Sequence, residues 1–275
     1  MSRSVNSTTA QQLGVSPQAL AKRRFLRGAA AAGGGLLLGG CDRLVANPTV
    51  GQVLSAGEAL SRGVRSVVGG GGVVTMAQEF TRADLSPSFR GNGNTDPGDA
   101  AYKALAASGF ANWKLVVNGL VETPAALSLA DLRALPSRTQ ITRHDCVEGW
   151  SAIGQWTGVQ LARVMALVKP MPNVRYVVFH CADAMDEGTS AAAPYYESID
   201  LQDAYHPQTV LAYELNGQTL PVINGAPLRL RVERQLGYKQ AKYLMRLELV
   251  ESFASLGQGK GGYWEDQGYQ WYAGI

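Results

Sequence analysis

The stretch Arg143-His144-Asp145-Cys146-Val147-Glu148-Gly149-Trp150 decides how this chain is read. It sets a thiol among a cation, an imidazole and two carboxylates. Flanking cations lower a thiol pKa and carboxylates raise it. A thiolate is the donor that a soft metal selects. Taken alone, the stretch marks Cys146 as a reactive or metal-ligating cysteine. The plain alternative is a disulfide to Cys181, since Cys41, Cys146 and Cys181 are the three cysteines. No Cys-x-x-Cys, P-loop or Gly-x-Ser-x-Gly elbow is present, and His144, His180 and His206 show no zinc spacing.

On either side of Cys146 the pattern is that of many short strands with a few helices. Strands are expected over 113–118, 139–147, 174–181, 209–215, 228–233 and 243–250. Asn118-Gly119 and Asn216-Gly217 read as turn pairs. Helices are expected near 99–107 and over 129–135, the second capped by Ser128 and stopped by Pro136. Thr157-Gly158-Val159-Gln160 has capping-box form ahead of Leu161, Val164, Met165 and Val168 at helical spacing. The fold class is therefore α+β, mixed and β-rich, over residues 85–275.

Upstream the composition changes. Residues 1–40 carry Arg3, Lys22, Arg23, Arg24 and Arg27 and no acid. The formal charge of +3 is concentrated there, and the remainder carries 20 basic against 22 acidic residues. A broad basic face for nucleic acid is thereby disfavoured. Lys22 to Arg27 followed by the Ala/Gly/Leu-rich run to Gly40 resembles a twin-arginine export signal, a route for folded proteins that often carry a cofactor. Leu38-Gly39-Gly40-Cys41 resembles a bacterial lipobox, with Asp42 after the acylated cysteine. The expectation is a periplasmic protein held at the inner membrane through Cys41. Residues 41–84, with the Gly69–Gly72 run, are expected to form a Gly-rich tether.

Downstream, further motifs follow in order. Cys146-Val147-Glu148-Gly149-Trp150, Val174-Arg175-Tyr176-Val177-Val178-Phe179, Asn224-Gly225-Ala226-Pro227-Leu228-Arg229-Leu230 and Leu236-Gly237-Tyr238-Lys239-Gln240-Ala241-Lys242 resemble, in register, the sulfite oxidase superfamily of molybdenum enzymes. The nearest pattern within it is that of the catalytic subunits of periplasmic protein-methionine-sulfoxide reductases. The resemblance covers about 113–250 closely and 85–112 loosely. It implies a Mo-molybdopterin cofactor with Cys146 as the metal ligand. Cys146 and its motif neighbour Glu148 are the catalytic candidates. Asn224 and Arg229 are implied contacts to the pterin or its phosphate, and Gln240, Ala241 and Lys242 contacts to the phosphate end. Cys181 falls near a position that the family fills with Thr, and Asn92 near the family's N-terminal Asn contact. An anionic cofactor suits Arg and Lys.

The plain readings differ. Asn224-Gly225 can be only a turn, Arg229, Lys239 and Lys242 solvated, Glu148 paired with Arg143, and Trp150 and Trp156 packing. The superfamily's sulfite-binding basic cluster is matched only by Arg90 and Arg143, and its C-terminal immunoglobulin-like dimerisation domain is not expected here. The reading is an exported oxidoreductase for oxygen-atom transfer to or from sulfite or an S- or N-oxide. A separate haem protein or cytochrome exchanges the electrons, because the chain has no motif for a second redox group. The rivals are a non-catalytic cofactor-binding or electron-transfer module, and a thiol-redox lipoprotein using Cys146 and Cys181.

Overall fold

The computed structural model describes residues 75–185 and 193–275. The expected export signal, Cys41 and the tether up to residue 74 lie outside the described residues. The rest of that tether is packed on the domain. Phe80 N donates to Ile141 O (2.8 Å), Ala77 N donates to Gln208 Oε1 (2.8 Å), and Glu79 bridges Thr142. The folded unit therefore includes residues 75–84 as well as the described residues from 85 onward. Among the described residues no helix is long and apolar enough to cross a membrane.

Among the described residues ten strands form two five-stranded sheets. The first joins β1 (Lys114–Gly119), β2 (Ala125–Ser128), β5 (Tyr176–Met185), β6 (Ala193–Asp200) and β10 (Leu244–Val250) in the order β2-β1-β10-β5-β6. Only the β1–β10 pair is parallel. The second joins β3 (Ser137–Asp145), β4 (Ser151–Gln160), β7 (Val210–Leu215) and β8 (Gln218–Thr219) in that order, with β9 (Arg229–Arg231) also on β7. Among the described residues the five α-helices are α1 (Ala100–Ala107), α2 (Leu129–Ala134), α3 (Leu161–Val168), α4 (Leu201–Ala204) and α5 (Tyr263–Asp266). The architecture is the expected β-rich α+β class.

Local chemistry explains most boundaries. Ser128 caps α2 through Asp131, each side chain satisfying the other's backbone N–H. The Asn216-Gly217 pair turns β7 into β8 with φ of 53° and 76°, the left-handed pair of a tight hairpin. Leu161, Val164, Met165 and Val168 put one face of α3 into the core with Leu115, Val177 and Leu249.

Four sequence readings are corrected. Thr157 caps no helix: it lies in β4, which runs to Gln160, and α3 starts without a side-chain cap. Asn118-Gly119 is no hairpin turn: both residues pair with β10, and Gly119 is required because a Cβ there would stand 2.3 Å from Leu249 O. The strand expected over 228–233 is only Arg229–Arg231. Cys146 and Cys181 are free thiols, so the disulfide reading does not describe this structure.

Candidate functional site

Cys146 sits in the five-residue loop between β3 and β4. Its N–H donates to Trp150 O (2.9 Å), and Gly149 N donates back to Cys146 O (3.1 Å). Gly149 takes φ of 82°, which a glycine adopts without strain. The thiol is half-buried and opens on a cavity of about 160 Å³. Four other segments meet there: Asn92 to Asn94, the end of β5 and start of β6, the loop Gly237 to Lys242, and the α5 region through Tyr269. Asn92, Glu148, Gln240 and Lys242 line the cavity with Cys146, joining five sequence-predicted residues at one place.

The other predicted residues stand behind this wall. Arg229 is fully buried on β9. Its guanidinium donates to two carbonyls, Asn224 O (2.9 Å) and Gln240 O (3.5 Å), and its Nε is buried without a hydrogen bond. Asn224 is buried and donates to Phe89 O (3.3 Å). Ala241 is buried, its carbonyl accepting from Leu230 N (2.8 Å). Cys181 is buried on β5, and burial, then Asp183 and Glu197, push its thiol pKa well up. The solvated readings of Arg229, Lys239 and Lys242 fail, since all three are buried.

Electrostatics separate the two ends of the site. At the deep end, burial first and Arg231 next lower the Arg229 pKa to about 9. Burial and then Arg229 lower that of Lys242 to about 7, although Asp183 opposes. Two cations so depressed gain proton affinity from any anion placed beside them. At the Cys146 end, Glu148 accepts from Arg90 (3.2 Å) and from Trp150 Nε1 (2.9 Å), and Arg90 lies 4.4 Å over the Trp150 ring. Arg143 pairs with Asp145 and not with Glu148. The Cys146 thiol is accordingly raised, by burial first, with Glu148 adding and its backbone N–H and Arg90 opposing.

These residues fit a molybdopterin. A half-buried thiol offers the metal one soft donor. The orphaned Arg229 Nε and Asn92 Oδ1 are buried polar atoms that a ligand would satisfy. The paired depressed cations suit a phosphate.

Sequence reasoning missed the aromatic wall of Tyr195, Tyr238, Trp264 and Tyr269, which also lines the cavity. Tyr238 stands inside a quoted motif. Trp264 and Tyr269 lie beyond the last motif and carried no signal. Asn94, Asp183 and Met185 were missed as well. So was His144, which is fully buried with its pKa held well down by burial, then by Arg231 and Arg229.

The chain is similar to several known proteins. The oxidoreductase molybdopterin binding domain model matches residues 103–255. The chain is 39% identical over 261 residues to YedZ1 of Azospira oryzae, named "Putative protein-methionine-sulfoxide reductase subunit", covering 92% of this chain and 88% of that one. It is 38% identical over 186 residues to the protein-methionine-sulfoxide reductase catalytic subunit MsrP of Xanthomonas axonopodis pv. citri, covering 64% of this chain and 56% of that one. The chain thus matches about half the length of that MsrP. Among solved structures, the sulfane dehydrogenase SoxCD from Paracoccus pantotrophus aligns with a TM-score of 0.45 at 21% identity, over 51% of this chain and 39% of that one. This chain belongs to the molybdopterin-binding oxidoreductases of the sulfite oxidase family.

Proposed function

We propose that this chain is the catalytic subunit of an exported S-oxide reductase. The observation that carries the choice of substrate is the charge beside Cys146. The charged side chains lining the cavity are Glu148, Asp183 and Lys242, and Lys242 is already held by the carbonyls of Asn92 (2.5 Å) and Asn94. Arg90 and Arg143, the two candidates for a sulfite-binding cluster, are paired with Glu148 and Asp145. A sulfite dianion would be repelled by the Glu148 carboxylate there, whereas a neutral S-oxide would not. The walls of Trp264, Tyr269, Met185 and Val147 suit its organic substituents.

In this reading Cys146 holds the molybdenum through its thiolate. Asn92, Gln240 and Lys242 would hold the pterin and its phosphate from the cavity wall, with Cys181, Asn224, Arg229 and Ala241 behind them. Bound molybdenum supplies two-electron oxygen-atom transfer. Removing oxygen from an S-oxide as water consumes two electrons and two protons. Glu148, exposed and anchored at Oε2 by Arg90 and Trp150, is the carboxylate that delivers protons beside Cys146. The electrons come from a separate haem protein or cytochrome. Residues 1–40 direct export, and an acylated Cys41 holds the mature protein at the inner membrane, with the segment to residue 74 as its tether.

The test is expression in a host that makes molybdopterin, followed by dye-linked assays. Reduction of free and peptide-bound methionine sulfoxide is expected, with sulfite oxidation much slower. Sulfite turnover without S-oxide reduction would reverse the assignment. Mass spectrometry of the mature N-terminus tests the rest: a lipidated Cys41 is expected, and a cytoplasmic chain beginning at Met1 would exclude export.

A further inference from the structure

His144 lies two residues before Cys146, fully buried at the end of β3. Its partner Arg231 is locked in place. Glu233 Oε1 accepts from Arg231 Nε (3.0 Å), and Glu233 Oε2 accepts from Arg231 Nη2 (2.5 Å). Gln140 Nε2 steadies Glu233 from the far side (2.8 Å), and Trp156 stacks under the guanidinium at 4.4 Å. Arg231 Nη1 then reaches His144 Nδ1 at 3.0 Å.

A guanidinium only donates, so His144 Nδ1 is the acceptor and the ring carries its proton on Nε2. The ring is held between Phe89 (centroids 5.7 Å) and Trp150 (5.4 Å). Its Nε2 edge faces Gly237, where a Cβ would stand 2.7 Å from both Nε2 and Cε1. Only a glycine admits the imidazole so close to that loop. The Gln240 amide lies beside the ring, and its Nε2 donates to Gln235 O (3.2 Å). His144 Nε2 and Gln240 Oε1 are both buried without a hydrogen-bond partner. Gly237 and Gln240 both line the cavity.

We propose that His144 is a positioning residue for the cofactor site: its Nε2–H, fixed by the Glu233–Arg231 pair, turns the Gln240 side-chain amide to meet bound molybdopterin. The inference rests on the reading of Gln240 as a cofactor contact. The row Glu233–Arg231–His144–Gln240 carries order from the buried sheet to the cavity wall. Outer partners of this kind set the orientation of the groups that touch a cofactor.

Two measurements test it. Imidazole ¹⁵N NMR of the wild-type protein, made with and without molybdopterin, is expected to show the Nε2–H tautomer in both forms, with that resonance moving on loading. Pterin retained through gel filtration is expected to fall about tenfold in His144→Phe and to recover in part in His144→Gln. An Nδ1–H tautomer, an Nε2–H resonance indifferent to loading, or full retention in His144→Phe would each overturn the proposal. If His144→Phe does not fold, the wild-type spectra decide. Gln240→Ala separates the two readings. Lowered retention there with full retention in His144→Phe defeats only the positioning role. Unchanged retention in Gln240→Ala defeats the contact reading and the proposal with it.

Discussion

Lys242 Nζ donates to the carbonyl of Asn92 at 2.5 Å, joining residues 150 positions apart in sequence. The same ammonium also reaches Asn94 O, so one buried charge ties the N-terminal segment across the cavity. Both partners are neutral, and the burial is costly. The Lys242 pKa falls to about 7 while an unfolded lysine keeps about 10.4.

That shift has a definite sign in the cofactor-free protein. Below pH 7 Lys242 is charged in both states, and its burial penalty is fully present. Between pH 7 and 10 the unfolded chain binds the proton that the folded chain has released, so stability rises with pH. Melting of the cofactor-free protein is expected to move upward over this window from the Lys242 contribution. Lys242→Met should flatten that rise. Loading with the anionic cofactor should flatten it too, by restoring the lysine's proton affinity. A wild-type and Lys242→Met difference independent of pH would contradict the assignment.

The two thiols should part company. Cys146 is half-buried on the cavity and Cys181 is buried behind it. In cofactor-free protein, iodoacetamide is expected to label Cys146 slowly, because its thiol pKa is raised, and Cys181 only on unfolding. Cys146→Ser should abolish activity while keeping much of the pterin, and should remove the protein sulfur from the molybdenum X-ray absorption signature. Cys181→Ser should leave most activity. Matched losses of about 2–5 kcal/mol in both variants would instead indicate a disulfide.

What was legible in the sequence follows from what kind of residue carried each element. α3 was plain because its apolar stripe is core packing at helical spacing. β7 was plain because it is almost continuously buried and apolar. β4 was hidden because Thr157-Gly158-Val159-Gln160 reads as a helix start, whereas Gly154 and Gly158 are close approaches within that strand. β6 was hidden because its buried positions include Glu197 and Ser198. Cys146, Asn92, Glu148, Gln240 and Lys242 were found through motif resemblance. The chemistry of Lys242 and Arg229 could not be read in advance, because desolvation depends on what packs around a charge. Trp264 and Tyr269 reach the cavity only through tertiary folding of the C-terminal segment.

Gly158 offers a test of that account of β4. A Cβ there would stand 2.1 Å from Leu211 O and 2.6 Å from Ala212 Cα, both backbone atoms of the neighbouring strand. β4 and β7 change register at this point, so the two backbones close together. Gly158→Ala is expected to cost about 2 kcal/mol or more, because a strand must shift to admit the methyl. Gly217→Ala meets no atoms within 4 Å but keeps a φ of 76°, and should cost about 1 kcal/mol. Equal denaturation midpoints for the two variants would show that β4 is not held as described.

Behind the aromatic wall a single lysine serves two carboxylates. Lys239 Nζ contacts Glu197 Oε1 and, at 2.6 Å, Glu265 Oε1, with all three side chains buried. Glu197 Oε2 and Glu265 Oε2 have no hydrogen bond, and Gly262 leaves no room for a Cβ against either carboxyl. One cation cannot neutralise both acids in so dry a place. Burial, with the Glu265 charge adding, raises the Glu197 pKa well above the ordinary range, though Lys239 opposes. A folded pKa above the unfolded value means that the stabilising proton is fully present below about pH 4.3 and lost as pH climbs through the folded pKa. Glu197→Gln, which mimics the protonated acid, should therefore be neutral or stabilising at pH 7 and should remove that slope. Lys239→Met should lose about 3–5 kcal/mol, since it leaves two buried carboxyls without their cation. Pairing Lys239→Met with Glu197→Gln should restore part of the loss. The check is urea denaturation of the four proteins at pH 5 and pH 7. Lys239→Met as stable as wild type, or Glu197→Gln as damaging as Lys239→Met, would refute a protonated Glu197 beside Lys239.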